Sequence, residues 1–489
     1  MKIGLAQIEV VAGQPDINAA KILKFVEMAK AQNCNAVIFP AATISGVYFS
    51  QQPALMRECE NFVREVVAAS SNIAIVFGMG NEILTAKDGK LINGEEFFNC
   101  QIKIAASNFV TDRIFERDKA NCALAAEKKL PLVYVNSIGI QNNGKTIYTF
   151  DGCSTVYNSK GEVVKRLPPF EETLETVTDA KIEQLPALDS YNEKQIAQIY
   201  RALNFGVERF LKQIHMSKIV IGISGGIDSA VASALYTKVL GAENIYLVNM
   251  PSVFNSETTR HLSETLAKNL GCKYSVVTIQ NAVDSTIRQL EMTPVNFLKN
   301  DSTEEIKISS FVRENLQARD RSGRVLAATA DLWKFQVYEL ANYMNEKIYL
   351  REVIPQGIID IVPSAELSDA QNVDEGKGDP LHYDYHDYLF RAFVEKLLTP
   401  EDILNLYIEK NLEAEIGCSA ELVQKYFPTA TDFIADLEKW WRQYQGIAVA
   451  KRIQAPPIMA VSPRPFGSFT ESQNIPHFTK KYFELKKIL

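Results

Sequence analysis

A short glycine-rich stretch near the middle of the chain has the residue types and spacing to bind a pyrophosphate group. Ser224-Gly225-Gly226-Ile227-Asp228-Ser229 follows an apolar segment, Lys218–Ile223, and opens a helical pattern, Asp228–Leu240. Adjacent glycines let backbone N–H groups approach phosphate oxygens closely, and a helix N-terminus favours an anion. The serine hydroxyls can donate to the same oxygens, and Asp228 can bind Mg²⁺. No lysine follows the glycines, so this is not a Walker A loop. The simpler alternative is a glycine turn capped by aspartate.

The surrounding elements predict that this stretch lies at the edge of a doubly wound parallel sheet. Near-continuous apolar segments at Lys218–Ile223, Asn244–Met250 and Ser275–Ile279 predict buried parallel strands, and helical patterns separate them. The first strand-to-helix turn of such a sheet is where a phosphate-binding loop belongs.

The first half of the chain predicts a layered α/β domain. It begins with a strand pattern at Lys2–Gln7 and an amphipathic helix at Asn18–Ala31, and turn residues interrupt the alternating apolar positions of 150–168, as in a hairpin. The acidic segment Glu172–Glu193 lacks strong periodicity and predicts a connection between domains. The expected divisions are a first domain, a linker and a second domain at 1–180, 181–195 and 196–489.

Composition and charge restrict the class of protein. The chain has 489 residues, more than a single hydrophobic core usually serves, so two or three domains are expected. Its 52 basic and 59 acidic residues give a net charge of −7, which argues against nucleic-acid or membrane partners. No apolar run reaches the roughly 18–20 residues that span a bilayer, and the N-terminus lacks the layout of a signal peptide.

The cysteines and histidines limit metal and redox chemistry. Seven cysteines are scattered without a C-x-x-C pair, which disfavours a zinc site or a disulfide framework and fits a reducing cytoplasm. Only five histidines occur, so a metal is expected to bind carboxylate and phosphate oxygens. These ligands favour Mg²⁺.

Motifs around and beyond the glycine-rich stretch carry a family resemblance. S-G-G-x-D-S resembles the loop of the ATP pyrophosphatases, which split ATP between its α and β phosphates and include GMP synthetase, asparagine synthetase and NAD synthetase. Four further segments resemble NAD synthetase signatures. They are MPSVFNSETTRHLSETLAKNLG (250–271), ENLQARDRSGR (314–324), VPSAELSDAQNVDEGKGDP (362–380) and AKRIQAPPIMAVSPRPFG (450–467).

The N-terminal half resembles the nitrilase-like glutaminase domain that is fused to many NAD synthetases. The segments IGLAQIEVVAGQPDINAAKI, AVIFP, LPLVYVNSIG and FDGCSTVYNSKGEVV carry this resemblance. The expected fold class is therefore α/β, with an N-terminal nitrilase-like layered domain and a C-terminal doubly wound parallel-sheet ATP pyrophosphatase domain. The resemblance implies membership of the glutamine-dependent NAD(+) synthetase family, whose members tend to form homodimers or larger homo-oligomers.

This resemblance implies an ATP-dependent carbon–nitrogen ligase. The nicotinate carboxylate of deamido-NAD would attack the α-phosphate of ATP, pyrophosphate would leave, and ammonia would displace AMP. Family positions assign deamido-NAD contacts to Asn315, Arg319 and Lys451, and Mg²⁺ to Asp228. They assign ATP contacts to Gly222, Ile223, Ser224, Gly225, Gly226, Ile227, Asp228, Ser229, Lys334 and Ser364. Without the resemblance, the basic residues would be interpreted as solvated surface charges and Ser364 as a turn hydroxyl.

The glutaminase triad of the family, Glu-Lys-Cys, has no recognisable counterpart in this chain. Its glutamate base should follow F-P directly, but here Ala41 stands at that position, and alanine cannot accept a proton. The lysine and the nucleophilic cysteine segment are not visible in the short stretch between Gly78 and Ile102. Cys100 lacks the Glu-Asp that should follow a nucleophile, so we expect a small buried hydrophobic side chain. The expected nitrogen donor is therefore ammonia.

The second half also departs from the family. Residues 324–330 run directly into DLWKFQVYELANYMN (331–345), where the family has a T-G-N-K-x-E strand with an ATP contact and a glutamate metal ligand. Either the natural protein is shortened near 85–100 and 330, or the printed sequence omits internal segments. The leading hypothesis is an ammonia-using NAD synthetase, and the alternative is a catalytically impaired relative that binds nucleotide or partner subunits. Another amide ligase of the same ATPase group is disfavoured by the four downstream motifs.

Overall fold

The computed structural model describes residues 1–49, 52–94, 97–292, 326–366, 368–446, 456–466 and 476–489. The chain divides into two compact units. Unit 1 comprises Met1–Ile214 and Pro457–Phe469, and unit 2 comprises His215–Pro456 and Thr470–Leu489. Within the described ranges, no helix is long and apolar enough to cross a membrane.

Unit 1 is built from three sheets and four helices among its described residues. Its helices are α1 (Pro15–Ala31), α2 (Pro53–Ala68), α3 (Arg113–Lys128) and α4 (Gln195–Gln213). Its strands are β1 (Lys2–Gln7), β2 (Ala36–Ile38), β3 (Ala74–Met79), β4 (Glu82–Lys87), β5 (Lys90–Ile92), β6 (Gln101–Ala105), β7 (Leu132–Asn136), β8 (Ile138–Asn142), β9 (Thr146–Asp151), β10 (Thr155–Tyr157), β11 (Val163–Arg166), β12 (Thr173–Thr178) and β16 (Ile458–Ala460). The sheet orders are β12-β1-β2-β3-β4-β5, β11-β10-β7-β6 and β16-β9-β8.

The two larger sheets stack face to face between helical layers. Phe25 of α1 and Phe77 of β3 belong to the core between the helices and the six-stranded sheet. Leu5 of β1 and Val133 of β7 belong to the core between the sheets. Tyr134, the next residue of β7, packs with α3 on the other face because successive side chains of a strand point to opposite sides. The result is a helix–sheet–sheet–helix sandwich, and the predicted layered α/β domain is confirmed.

The segment that the sequence assigned to a connection contains a strand of unit 1. Strand β12 pairs antiparallel with β1, with Lys2 opposite Thr178. Its two apolar residues, Leu174 and Val177, lie in different cores on the two faces of the sheet. With one apolar residue on each face, the segment shows no alternation, so the sequence did not indicate that residues 173–178 of the predicted connection form a strand.

A short strand near the C-terminus also belongs to unit 1. Strand β16 runs parallel to β9, with Ile458 opposite Thr146. The sequence places this segment in the second domain, and the boundary between compact units falls after Ile214. Because compact units and family domains need not coincide, the domain limits 1–180, 181–195 and 196–489 stay a prediction.

Unit 2 combines a parallel sheet with many helices. Its strands are β13 (Ile219–Gly222), β14 (Ile245–Asn249) and β15 (Lys273–Val276), parallel in the order β13-β14-β15. Its helices are α5 (Ile227–Leu240), α6 (Glu257–Leu270), α7 (Gln280–Glu291), α8 (Lys334–Tyr343), α9 (Gln356–Asp360), α10 (Tyr383–Val394), α11 (Pro400–Ile408), α12 (Leu412–Ile416), α13 (Leu422–Tyr426), α14 (Ala430–Gln445) and α15 (Lys480–Lys486). The alternation β13-α5-β14-α6-β15 places the strand-to-helix turns at the carboxyl edge of the sheet.

Candidate functional site

The glycine-rich loop connects β13 to α5, as the sequence predicts. Gly225 has φ +86°, a left-handed conformation that residues with a side chain rarely adopt. A Cβ atom there would lie 2.3 Å from the carbonyl oxygen of Thr259 in α6. The loop therefore rests directly on the first turn of α6, and only glycine fits the contact.

The second glycine is not required by the packing of the loop itself. Gly226 has φ −87°, which any residue can adopt. A Cβ atom there would have only Ser224 Oγ nearby, at 3.4 Å. The absence of a side chain leaves open space beside the N-terminus of α5, where an anion can approach the backbone.

The N-termini of α5 and α6 differ in how they are capped. Ser256 Oγ accepts a hydrogen bond from Thr259 N at the start of α6. Carboxylates of Glu366 and Asp374 accept from Ser256 N and Glu257 N, at 3.1 and 3.2 Å. Helix α5 has no side-chain cap. Orphan N–H groups and the positive end of the helix dipole are therefore available to an external anion at α5, whereas at α6 the protein supplies the negative charge.

Lys334 and Asp228 form an ion pair at this helix end. Lys334 begins α8, and its Nζ lies 2.6 Å from Asp228 Oδ2 in the first turn of α5. The lysine side chain is 14% exposed and also lies over the ring of Tyr383, whereas the aspartate is 62% exposed. The structure thus brings together two residues that are 106 positions apart, and it leaves the carboxylate accessible to a further ligand.

A buried carboxylate holds the start of α8. Asp387 of α10 is 5% exposed, and its Oδ2 accepts a hydrogen bond from Phe335 N at 2.8 Å. Burial raises the pKa of Asp387 to about 6, and the Phe335 N–H and the nearby Lys334 charge oppose that rise. The sequence did not single out this residue.

The other residues predicted at the site are placed less directly. The hydroxyl of Ser364 donates to Gln371 O at 2.7 Å and accepts from Glu366 N at 3.2 Å. Both of these hydrogen bonds lie within the segment that contains Ser364. Asn315, Arg319 and Lys451 fall outside the described residues.

The positions expected for a glutaminase triad are apolar and closely packed. Ala41 N donates to Ala105 O at the carboxyl end of β6, at 3.1 Å. A Cβ atom on Gly78 would lie 2.3 Å from Ala42 N, so this segment sits tightly on β3. Cys100 is 6% exposed in the core between the sheets, and burial raises its pKa to about 12. Such a thiol does not ionise near neutral pH.

The residues at the loop fit a magnesium ion bound together with a nucleotide. Among the described residues, no group of three or more His, Cys, Asp and Glu side chains could hold a metal by itself. Mg²⁺ is usually bound by one or two carboxylates, water and the phosphates of the substrate. The exposed carboxylate of Asp228, beside an uncapped helix N-terminus, matches that ligand set.

Comparison with known proteins gives consistent results over the chain. The family model described as NAD synthase matches residues 199–328 and 322–425. The glutamine-dependent NAD(+) synthetase of Synechocystis is 29% identical over 405 residues, which cover 76% of this chain and 65% of the relative. That of Acinetobacter baylyi is 24% identical over 524 residues, which cover 85% of this chain and 92% of the relative.

A solved structure extends the similarity to the fold. The glutamine-dependent NAD+ synthetase of Acinetobacter baumannii, in complex with adenosine diphosphate, has a TM-score of 0.60 and 20% identity. The match covers 97% of this chain and 98% of that chain. The α/β fold class with a parallel sheet is thereby confirmed. From its sequence and its fold, the chain belongs to the glutamine-dependent NAD(+) synthetase family.

Proposed function

We propose that this chain is an NAD synthetase that amidates deamido-NAD at the expense of ATP, using ammonia. The observation that carries the proposal is the uncapped N-terminus of α5, with an open glycine backbone and the Lys334–Asp228 ion pair beside it. The related structure that holds adenosine diphosphate supports nucleotide binding by this fold.

The proposed chemistry solves a leaving-group problem. A carboxylate oxygen of deamido-NAD attacks the α-phosphorus of ATP, the bond to the β-phosphate oxygen breaks, and pyrophosphate leaves. Ammonia then attacks the acyl carbon, loses a proton, and displaces AMP, which is a far better leaving group than oxide. Positioning and neutralisation of phosphate charge provide most of the rate.

The residues of the loop have distinct roles in this proposal. The backbone of Gly222–Ser229 and the hydroxyls of Ser224 and Ser229 bind the phosphates. Asp228 would hold Mg²⁺, which supplies charge neutralisation when bound. Before ATP binds, the ion pair with Asp228 holds the ammonium group of Lys334 at the site. When ATP binds, the phosphate oxygens replace Asp228 as the partner of Lys334. Ser364 is proposed to face ATP.

The remaining assignments stay proposals carried over from the family. Asn315, Arg319 and Lys451 would contact deamido-NAD. A cytoplasmic location is supported by seven cysteines that are all free. A homo-oligomer is proposed only because members of the family tend to form one, and sedimentation analysis would measure the number of subunits.

Ammonia is proposed as the donor because the glutaminase positions cannot hydrolyse glutamine. Ala41 cannot act as a base, and the Cys100 thiol is buried with a raised pKa. A general base contributes about 10²–10⁴-fold to such a reaction. The ammonia would come from solution or from another protein.

The test measures NAD, AMP and pyrophosphate formation from deamido-NAD, ATP and Mg²⁺ with either ammonium or glutamine. We expect equal amounts of the three products with ammonium. With glutamine as sole donor, no turnover above background is expected, because both the base and a reactive nucleophile are missing from the glutaminase positions. Comparable rates with both donors would refute the choice of ammonia.

A second candidate is a catalytically impaired member of the family that binds nucleotide without turnover. Among the described residues, β13 pairs with β14 alone, and Val220 on β13 is 68% exposed. The alignment with the Acinetobacter baylyi relative runs over 524 positions yet covers only 85% of these 489 residues, so that relative has internal segments without a counterpart here. ATP binding by calorimetry, without AMP release when all substrates are present, would favour this candidate.

A further inference from the structure

We propose that Glu366 is a positioning residue that fixes the phosphate loop through the first turn of α6. The inference rests on the proposed function to the extent that this loop binds ATP. Glu366 lies in the P-S-A-E-L segment, and its carboxylate accepts hydrogen bonds from residues at the start of α6. Its effect on ATP is therefore indirect.

The carboxylate of Glu366 is buried and receives three hydrogen bonds. Glu366 is 4% exposed. Its Oε1 accepts from Ser256 N at 3.1 Å, and its Oε2 accepts from Thr259 Oγ1 at 2.8 Å and Asn255 Nδ2 at 3.2 Å. A buried negative charge is tolerated only with such partners. The three donors extend from the residue before the N-cap to the first turn of α6, so one side chain connects them.

The same turn of α6 supports the phosphate loop. The carbonyl oxygen of Thr259 occupies the space that a Cβ atom on Gly225 would need, at 2.3 Å. Thr259 therefore contacts Glu366 through its hydroxyl and Gly225 through its carbonyl. A shift of the first turn of α6 would be passed directly to the backbone that is proposed to bind the phosphates. A small displacement of backbone groups that position a substrate weakens binding and slows the reaction.

The backbone of Glu366 has a conformation that is uncommon for a residue with a side chain. Its φ is +47°, in the left-handed region that disfavours residues with a side chain. The amide N–H of Glu366 is held by Ser364 Oγ at 3.2 Å. Such conformations persist when the surrounding structure requires them, and they cluster at functional sites. The strain brings the carboxylate to α6 while Ser364 stays in the predicted ATP-contacting motif.

The alternative is that Glu366 only stabilises unit 2. A matched control is Glu438 of α14, which is 9% exposed and accepts hydrogen bonds from Tyr482 Oη at 2.9 Å and Arg442 at 2.8 Å, and from Lys486. Glu438 is thus another buried, multiply bonded carboxylate in the same unit, and it has no bond to α6 or to the loop.

The experiment measures ATP affinity by calorimetry and the KM for ATP in the ammonia-driven assay, together with the melting temperature. In Glu366→Ala, the Kd and KM for ATP should rise about tenfold, since charged hydrogen bonds are lost. The kcat at saturating ATP should stay within about threefold, because bound ATP can draw the loop back into place. Glu366→Gln keeps an acceptor for Ser256 N and should recover most of the affinity.

The control separates positioning from stability. Glu438→Ala should lower the melting temperature without changing the Kd for ATP. If Glu366→Ala fails to fold, Thr259→Val removes one donor, keeps the carbonyl against Gly225, and should raise the Kd for ATP several-fold. Unchanged ATP affinity in the Glu366 and Thr259 variants, or an equal loss in Glu438→Ala, would overturn the inference. A wild-type protein that binds ATP but forms no NAD would instead count against the proposed function.

Discussion

Replacing Asp387 by asparagine removes a buried negative charge but keeps an oxygen that can accept the Phe335 N–H. Burial raises the pKa of Asp387 from an ordinary 3.8 to about 6. The difference corresponds to about 3 kcal/mol, by which the ionised carboxylate lowers stability at neutral pH relative to its protonated form. Because asparagine resembles the protonated form, Asp387→Asn should be more stable than the wild type by about 3 kcal/mol at pH 7.5.

The pH dependence of this difference follows from the direction of the pKa shift. The folded state binds the proton more tightly than the unfolded chain, so the wild type gains stability from this group as the pH falls through 6 toward 4. The advantage of the variant should therefore shrink to about half at pH 5.

Tryptophan fluorescence during urea unfolding measures the effect selectively. All three tryptophans, at positions 333, 440 and 441, lie in unit 2 with Asp387. Asp432 provides the control, since it caps α14 through Thr429 on the surface of the same unit. Asp432→Asn should destabilise by about 1 kcal/mol with little pH dependence between 5 and 8. An Asp387→Asn variant that is less stable than the wild type at pH 7.5 would refute the reasoning.

Three further predictions concern the phosphate loop and the position of the missing glutaminase base. Gly225→Ala should lower the melting temperature and abolish ATP binding, because it places a Cβ atom on Thr259 O. Gly226→Ala should keep the wild-type melting temperature and only weaken ATP binding. Equal melting temperatures in the two variants would contradict this prediction. Asp228→Ala should lose NAD formation without loss of fold, because the side chain is 62% exposed, and circular dichroism with the ammonia assay would measure both; retained activity would count against the metal role. Ala41→Glu should leave glutaminase activity undetectable in a glutamate-release assay, since a base alone supplies no nucleophile; measurable glutamate release would show otherwise.

The phosphate loop could be predicted because its chemistry is local in sequence. Its glycines, serines and aspartate stand within eight residues, and the strand and helix on either side are long enough to show their periodicity. The structure places β13 at Ile219–Gly222 and α5 at Ile227–Leu240, close to the predicted limits.

The supports of the loop could not be predicted, because each joins residues that are far apart in sequence. Glu366 lies 107 residues from its partner Thr259, and Asp387 lies 52 residues from Phe335. The sequence does not distinguish an aspartate or glutamate that is buried in the fold from one that is exposed to solvent. The P-S-A-E-L motif drew attention to Ser364, although the glutamate two positions later makes the longer-range bonds.

For the same reason, the sequence did not predict two strands of unit 1. Strand β12 has one apolar residue for each face, so no pattern distinguished it from a connecting segment. Strand β16 is apolar, but periodicity cannot indicate which sheet a strand will join when its partner lies more than 300 residues away.

The position of strand β16 in the chain affects when the fold of unit 1 can be completed during synthesis. Strand β9 ends at Asp151, but its partner β16 is not translated until residues 458–460, after residues 215–456 of unit 2. At roughly 5–20 residues per second, the interval is on the order of 15–60 s. During that time β9 presents an unpaired edge, which is a template for pairing with other chains. Strand β9 therefore stays without this partner until almost the whole chain has been translated, and a stop codon before residue 458 would damage the half of the protein that is synthesised first.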